Sequence, residues 1–514
     1  MITRKEETLG EYLPGGARPY LVIALIGLLL YAGVSFFGLS CLDDNILILD
    51  NHEFISNPTN IVEAFRTSVF RVLREYDAAY RPLLTVSFMI DAQIDKYLGL
   101  GYHFTNVILH ILTSCLVFLL FLKLKYTRSL AFAFALIFAV HPALTQAVAW
   151  IPGRNDSLLG IFAVASTIAL IDFLESKRWR DYAAHIIFLM LALFTKESAL
   201  ALVVVSACYC ALIARGVKNR NTLFLLAGWV ITIAAWALCR ESALTHNPVM
   251  LSGAGIVQDL ISSAPAILIY LGKAVFPLNM SIVPTMQDST LAYGMAAALI
   301  LTLGLLLSVD RRNRFALFGV IWFIAFLVPT FIRPMPDGPA VFMESRIYLP
   351  MIGVFIILGE IDIVKKLSLK RTGHLVSAAV ITGALFYISM NHANHFQNAL
   401  TFWEYAVKRS PHSSAAQYNL GWVYGAQGRD REAEAGYKKA LELNPRQRYA
   451  HNSLGCIYEY RGLLDEAESE YSKEIEIAPY YDKAYLNLSN LYLRRGKREE
   501  AGELLKILKK RKVS

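Results

Sequence analysis

YLVIALIGLLLYAGVSFFGL, residues 20–39, is an unbroken apolar run, and Ser40-Cys41-Leu42-Asp43-Asp44-Asn45 follows it directly. A helix needs about 20 apolar residues to cross a bilayer, so the run reads as a membrane span with Asp43 and Asp44 at its mouth. A lipid-borne substrate would present its headgroup at that level. Two acids at a helix exit also suit a plain solvated interface, and the remaining chain has to choose between the readings. Nothing after the run resembles a signal-peptidase site, so it reads as an uncleaved anchor.

Of 514 residues, 55% are apolar and 18% charged. That composition excludes an ordinary soluble domain and points to an all-α, polytopic membrane bundle with a soluble module. The net charge of +9 needs no nucleic acid as partner, because most Lys and Arg lie in short loops between apolar runs or in the C-terminal region. The six cysteines, Cys41, Cys115, Cys208, Cys210, Cys239 and Cys456, are scattered and form neither a disulfide framework nor paired zinc ligands.

Further runs suited to spans lie at 104–122, 130–150, 158–174, 182–194, 198–213, 222–238, 291–307, 315–331, 348–361 and 374–390. Basic clusters alternate with them: Lys123/Lys125/Arg128, Lys177/Arg178/Arg180, Arg215/Lys218/Arg220, Arg311/Arg312/Arg314 and Lys365/Lys366/Lys370/Arg371. All fall on one side, with Arg4 and Lys5, and the positive-inside rule makes that side the cytoplasm. Residues 264–277, interrupted by Lys273 and bounded by Pro277 and Pro284, read as a re-entrant or interfacial helix. About eleven spans then remain, and the C-terminus lies outside the cytoplasm.

On this topology the outer face gathers Asp43, Asp44, Arg81, His103, His141, Arg154, Asp156, Lys196, Glu197, Glu344 and Arg346. Ionisable groups near a membrane core are costly and face a cavity or a partner, so their convergence argues for a polar cavity open to that side. The first outer loop, 40–103, is long. Residues 61–75 carry helical periodicity with Arg66, Arg71 and Arg74, and 82–98 reads as an amphipathic helix broken by Asp91, Asp95 and Lys96. Both are expected in the interface rather than across it. Arg81 suits either a snorkelling role or a phosphate contact, for which a guanidinium fork is apt.

After Asn391 the composition turns soluble. Pro411/Pro445/Pro479, Ala416/Ala450/Ala484, Leu420/Leu454/Leu488, Tyr424/Tyr458/Tyr492, Gly428/Gly462/Gly496 and Ala433/Ala467/Ala501 recur at a period of about 34. That is the tetratricopeptide signature, two antiparallel helices per unit stacked into a concave solenoid. Tyr418, Trp422, Tyr424, Tyr458 and Tyr485 read as repeat core rather than as a ligand face.

Ordered motifs accumulate along the body: Leu42-Asp43-Asp44, Asp50-Asn51, Tyr80-Arg81-Pro82-Leu83, Gly101-Tyr102-His103-Phe104-Thr105-Asn106-Val107 and Phe138-Ala139-Val140-His141-Pro142. Trp150-Ile151-Pro152-Gly153-Arg154-Asn155-Asp156, Lys196-Glu197 and Glu344-Ser345-Arg346-Ile347-Tyr348-Leu349-Pro350 follow. Taken in order with the repeats, the chain resembles the transmembrane-and-tetratricopeptide-repeat protein O-mannosyltransferases, and more widely the GT-C glycosyltransferases. One departure is plain. Where the family tends to carry His-Pro-x-His-Thr-Glu, this chain has His141-Pro142-Ala143-Leu144-Thr145-Gln146, without the second His and the Glu.

The resemblance implies a glycosyltransferase body over 1–395 and a repeat domain over 396–514. The sugar, mannose in the family, would come from a polyprenyl-phosphate carrier and pass to Ser or Thr of an extracytoplasmic protein. The active site and repeats would be periplasmic or external in a bacterium and lumenal in a eukaryote. Asp43 and Asp44 match the position of the catalytic base; the first acid is the usual base in related GT-C proteins, which favours Asp43, and the other would orient the acceptor or a metal. Arg81, Arg154, Lys196 and Arg346 are candidates for the carrier phosphate, each with an ion pair as the alternative role. His103, His141, Asp156, Glu197 and Glu344 complete the candidate substrate site. Two acids could also hold a divalent ion, but no third ligand is evident. Two other readings stay open: a non-enzymatic membrane scaffold for the repeats, and a GT-C enzyme acting on lipid or polysaccharide.

Overall fold

In a computed structural model the chain is described at residues 16–40, 42–72, 79–95, 99–214, 219–244, 253–332 and 341–513, and all regular structure among them is helical. Arg4, Lys5, Cys41, Arg74, Lys96, Arg215 and Lys218 lie outside the described residues.

Six helices are long and apolar enough to cross a bilayer: Arg18–Phe36, Leu100–Lys123, Ile151–Ser176, Asn221–Ala243, Asn313–Phe331 and Thr372–Phe396. Two pairs qualify only jointly. Arg128–Val140 with Pro142–Ala149 bends by 54°, and Gly253–Ser263 with Ala266–Val275 by 45°. The chain is thus a multi-pass membrane protein with six such helices among the described residues, or eight with the bent pairs, where hydropathy alone reads about eleven. The shortfall has local causes. Pro142, which lacks the backbone N–H that would continue a helix, bends one run, and the runs at 182–194 and 198–213 form helices of only 17 and 13 residues, Trp179–Thr195 and Leu200–Leu212. The run at 291–307 forms a helix of 16 residues, Ala292–Leu307, and that reaches only about 24 Å. The run at 348–361 forms just Pro350–Leu358, opened by its proline and buried through Ile357.

That short helix shows how the bundle closes. Lipid supplies no hydrophobic drive between helices, so close packing at small residues does the work. A Cβ on Gly353 would sit 2.5 Å from the carbonyl oxygen of Gly319 on the neighbouring Asn313–Leu327. The two backbones can meet there only as glycines.

The first outer loop is less regular than its periodicity suggests. Among the described residues of the stretch 61–75, only Ile61–Ala64 is α-helical, after a turn at Pro58–Asn60 capped by Asn57. Pro82–Ile94 does form a helix, with proline at its favourable first position. Asp91 does not break it, because its carboxylate is buried inside the fold against Arg154.

After the last long helix, Ala399–Arg409 starts with a capping box between Asn398 and Thr401. Three helix pairs follow: Ser414–Ala426 with Asp430–Leu443, Ala450–Tyr460 with Leu464–Ile477, and Asp482–Arg494 with Arg498–Val513. Gly428, Gly462 and Gly496 turn each pair with φ of +74°, +78° and +78°, the left-handed conformation that glycine enters freely. The repeating alanines Ala416, Ala450, Ala484, Ala433, Ala467 and Ala501 are all fully buried. The solenoid docks on residues 279–288 of the body. Tyr405 donates to the Met280 carbonyl at 3.0 Å, Ser281 and Ser410 share a hydroxyl bond at 2.7 Å, and His412 meets Asp288 at 2.7 Å.

Candidate functional site

Antiparallel helices bring the candidate residues to one end of the bundle. Asp43 and Asp44 follow the first span. Arg81 precedes Pro82–Ile94, His103 lies in the first turn of Leu100–Lys123, and Arg154 and Asp156 open Arg154–Ser176. Lys196 and Glu197 follow Trp179–Thr195, and Glu344 and Arg346 form the turn before Pro350–Leu358.

The two aspartates differ. Asp44 is 1% exposed; its Oδ2 accepts from the Ser40 amide at 2.7 Å and from the Ser40 hydroxyl, while its Oδ1 is buried without a hydrogen-bond partner. Asp43 is partly exposed and faces Arg81. Burial raises the Asp43 carboxyl to about 6, against the pull of Arg81. Burial likewise raises Asp44 to about 6, with the Ser40 bonds opposing and Asp43 adding to the rise. Adjacent acids titrate as a pair, here close to neutral pH.

Cations surround this pair on one side. Arg81 bonds Glu197 through Nε at 3.2 Å, and Glu197 also accepts from the Tyr80 amide at 2.9 Å. Lys196 pairs with Asp156 at 2.5 Å and lies within electrostatic reach of both Arg81 and Arg346. Arg346 donates to the Val341 carbonyl at 2.8 Å and stands beside the Tyr270 hydroxyl. Arg81, Lys196 and Arg346 therefore lie as a group, with Asp43 next to Arg81. Arg81 and Lys196 also make the ion pairs that sequence reading holds as their alternative role, whereas Arg346 bonds a backbone carbonyl and Glu344 is taken by Lys273 and His392.

Other candidates are placed elsewhere or fully engaged. Arg154 is wholly buried, bound to Asp91 at 2.5 Å, to Asn106 and the Tyr102 carbonyl at 2.7 Å, and to Ser87 at 3.2 Å. Its guanidinium also lies over the Phe88 ring at 4.7 Å. These bonds make it a clamp between the outer loop and the first turn of Arg154–Ser176, with no face left for a carrier phosphate. His103 is buried edge-on to Phe37. His141 caps the break in its span, accepting from the Ala143 amide at 3.2 Å, with its other nitrogen 3.2 Å from the Ala274 carbonyl. Glu344 is fully buried and bound by Lys273 at 2.7 Å, the Ser281 amide at 2.6 Å and His392 at 2.9 Å. Among the described residues no group of three or more His, Cys, Asp or Glu is placed to hold a metal ion.

Gln146, which stands where the family tends to carry Glu, is buried. Its amide donates to the Ile282 carbonyl at 3.0 Å and accepts from the Ser345 amide at 3.0 Å. A carboxylate could do only the second.

Sequence reading missed three contributors: Ser40, His392 and Trp403. Trp403 belongs to Ala399–Arg409, is fully buried, and donates its indole N–H to the Ser40 carbonyl at 3.1 Å. Beside it the Gly38 amide donates to the Gln397 carbonyl at 2.8 Å. The segment that leads into the repeats thus braces the residue that holds Asp44. No local pattern signals a contact between residues 363 positions apart.

Residues 414–447 match the tetratricopeptide repeat model. Over 459 residues, 83% of this chain and 63% of the relative, the chain is 26% identical to "Protein O-mannosyl-transferase F38B6.6" of Caenorhabditis elegans. It is 28% identical to "Protein O-mannosyl-transferase TMTC3" of Homo sapiens over 34% of this chain and 20% of that one. With "Protein O-mannosyl-transferase Tmtc1" of Drosophila melanogaster it shares 33% over 24% of this chain and 14% of the relative. The chain covers less than two thirds of the length of each of these relatives. The matches and the repeat bear out the resemblance drawn from the motifs: the chain is similar to the transmembrane-and-tetratricopeptide-repeat O-mannosyltransferases.

Proposed function

We propose that this chain is a GT-C-type glycosyltransferase that moves a hexose, mannose by the names of its relatives, from a polyprenyl-phosphate carrier to Ser or Thr of an extracytoplasmic protein. The observation that carries this reading is Asp43, partly exposed and raised to about 6, facing Arg81, which groups with Lys196 and Arg346 beyond the end of the first span.

The chemistry follows from that placement. The acceptor hydroxyl oxygen forms its bond to the anomeric carbon and passes its proton to the Asp43 carboxylate. The bond from that carbon to the phosphate oxygen breaks, and its electron pair leaves with the phosphate. Attack from the face opposite the phosphate inverts the centre, as in other one-step glycosyl displacements. A base with a pKa near the working pH is efficient, and positioning one contributes about 10²- to 10⁴-fold. Arg81, Lys196 and Arg346 would stabilise the leaving phosphate as preorganised charges. Asp44, held by Ser40, fixes the loop beside the base.

We assign the body to 1–395 and the repeats to 396–514, with the repeats helping to bind the acceptor. A groove of about 470 Å³ on the solenoid is lined in part by Tyr418, Trp422, Tyr437, Asn452, Tyr481 and Asn487. Aromatic faces and side-chain amides suit an extended polypeptide. Tyr418 packs against the repeat core as sequence reading expects and also lines this groove, with Trp422 beside it.

The test is transfer of radiolabelled mannose from polyprenyl-phosphate mannose, by the purified full chain, to a panel of secreted proteins and membrane lipids. Asp43→Asn should lower label in protein by about two to four powers of ten, and the wild-type rate should rise with pH through about 6 as the base ionises. Label in lipid would keep the chemistry and overturn the acceptor. Absence of label from folded protein, with this and other polyprenyl-phosphate sugars, would favour the scaffold reading.

A further inference from the structure

At the end of the bundle opposite Asp43, a second cavity of about 340 Å³ opens where Leu100–Lys123 and Arg154–Ser176 terminate. A helix of 24 residues spans about 36 Å, so the cavity lies a membrane thickness away from the candidate site. Its lining combines Lys123, Lys125, Lys177 and Glu175 with apolar side chains such as Ile213 and Phe315.

The backbone of two of these lysines is unusual. Lys125 and Lys177 have φ of +63° and +58°, and among the described residues Tyr449 is the one other non-glycine with a positive φ. Both stand at helix C-termini. The Lys177 amide closes on the Phe173 carbonyl at 2.8 Å, and the Lys125 amide on the Leu122 carbonyl at 3.0 Å. Glycine is the usual residue in that conformation. This protein places glycine in it at Gly428, Gly462 and Gly496, yet has lysine at both positions beside the cavity. The helix dipole favours a cation anywhere in the last turn and so does not explain lysine at the strained position itself.

The charges do not cancel. Lys123 pairs with Asp172 and Lys125 with Glu175. The Lys177 ammonium caps the Leu174 carbonyl and pairs with no carboxylate among the described residues. The lining is thus cationic in part and apolar in part, at the ends of two helices long enough to cross a bilayer. Basic pockets between membrane helices suit lipid phosphates. We propose that this cavity binds the phosphate headgroup of an anionic phospholipid. The proposal is independent of the reading of the Asp43 site.

The experiment uses the purified full chain in neutral detergent and follows thermal unfolding by intrinsic fluorescence. Dioctanoyl-phosphatidylglycerol should raise the unfolding temperature saturably. Dioctanoyl-phosphatidylcholine and inorganic phosphate should not. Replacing Lys125→Gly and Lys177→Gly together should leave the lipid-free unfolding temperature equal or higher, since the left-handed strain is relieved. The same change should raise half-saturating phosphatidylglycerol by roughly ten- to thirty-fold, the effect of losing two headgroup cations. Lys125→Gln with Lys177→Gln should weaken the response likewise, and Lys370→Gln, on the same face but outside the cavity, should leave it intact. An unchanged response in both double variants overturns the site, as does no response in wild type. An equal response to inorganic phosphate overturns the lipid as its source.

Discussion

In the membrane body Arg154 and Asp91 meet at 2.5 Å with 0% and 2% of their side chains exposed, whereas Lys439 and Glu442 in the solenoid meet at 2.8 Å with 52% and 64% exposed. Distances alone would rank these pairs as equals. Burial separates them. The body has taken both charges out of water and has compensated Arg154 with three further hydrogen bonds. The solenoid keeps most of its ion pairs at the surface, holds its buried Glu474 with the Tyr449 and Asn452 amides, and takes its specificity from small residues and glycine turns. Two regions of one chain therefore answer the same question, where to put charge, by opposite means.

The sharpest break of this contrast is Arg154→Leu. Removing one partner of a buried pair leaves the other uncompensated and costs about 3–5 kcal/mol. The expected outcome is loss of monodisperse protein in detergent, measured by size-exclusion profile and thermal unfolding. Next comes Asp44, a buried acid without a cation bound to it. Its folded value of about 6 lies above the ordinary 3.8, so the folded state holds this proton more tightly than the unfolded chain. Stability from this group is greatest at low pH and is lost as pH rises from about 4 to about 6, by about 3 kcal/mol in all. Thermal unfolding against pH should show that decline in wild type and a flatter profile in Asp44→Asn. In the solenoid, Gly462→Ala forces alanine into the left-handed region at φ +78°, a cost of about 1–2 kcal/mol. It should lower the unfolding temperature modestly without altering the body. Smallest is Lys439→Gln, at most about 0.5 kcal/mol for an exposed pair. A large effect there would break the contrast from the other side.

How far the sequence could be read differs between the same two regions. In the solenoid a strict period places every helix pair, because each unit repeats one local solution and contacts its neighbours. Gly462 and Ala467 could be assigned to turn and core before any coordinates. In the body, hydropathy locates apolar runs but not their breaks. Pro142 bends one run, and the 348–361 run shrinks to a nine-residue helix. The one-ended gathering of the candidate residues was legible from alternating basic loops. The partner of Arg154 was not, since Asp91 lies in another helix and reads in sequence as a helix breaker. The residues alone could not separate Asp43 from Asp44, and only the resemblance put the first acid ahead. In the structure the distinction rests on Ser40, which bonds Asp44 and not Asp43.

The bond from Trp403 to Ser40 has a bearing on how this architecture can be taken apart. The helix Ala399–Arg409 looks like the start of the solenoid in chain order, but its indole is inserted into the floor beneath Asp44. A graft that exchanged repeat arrays at residue 396 would carry that floor away with the donor array. A seam after the docking helix and its Ser410 and His412 contacts would keep it. The repeat array is thus separable from this body only downstream of a helix that, by position, already belongs to it.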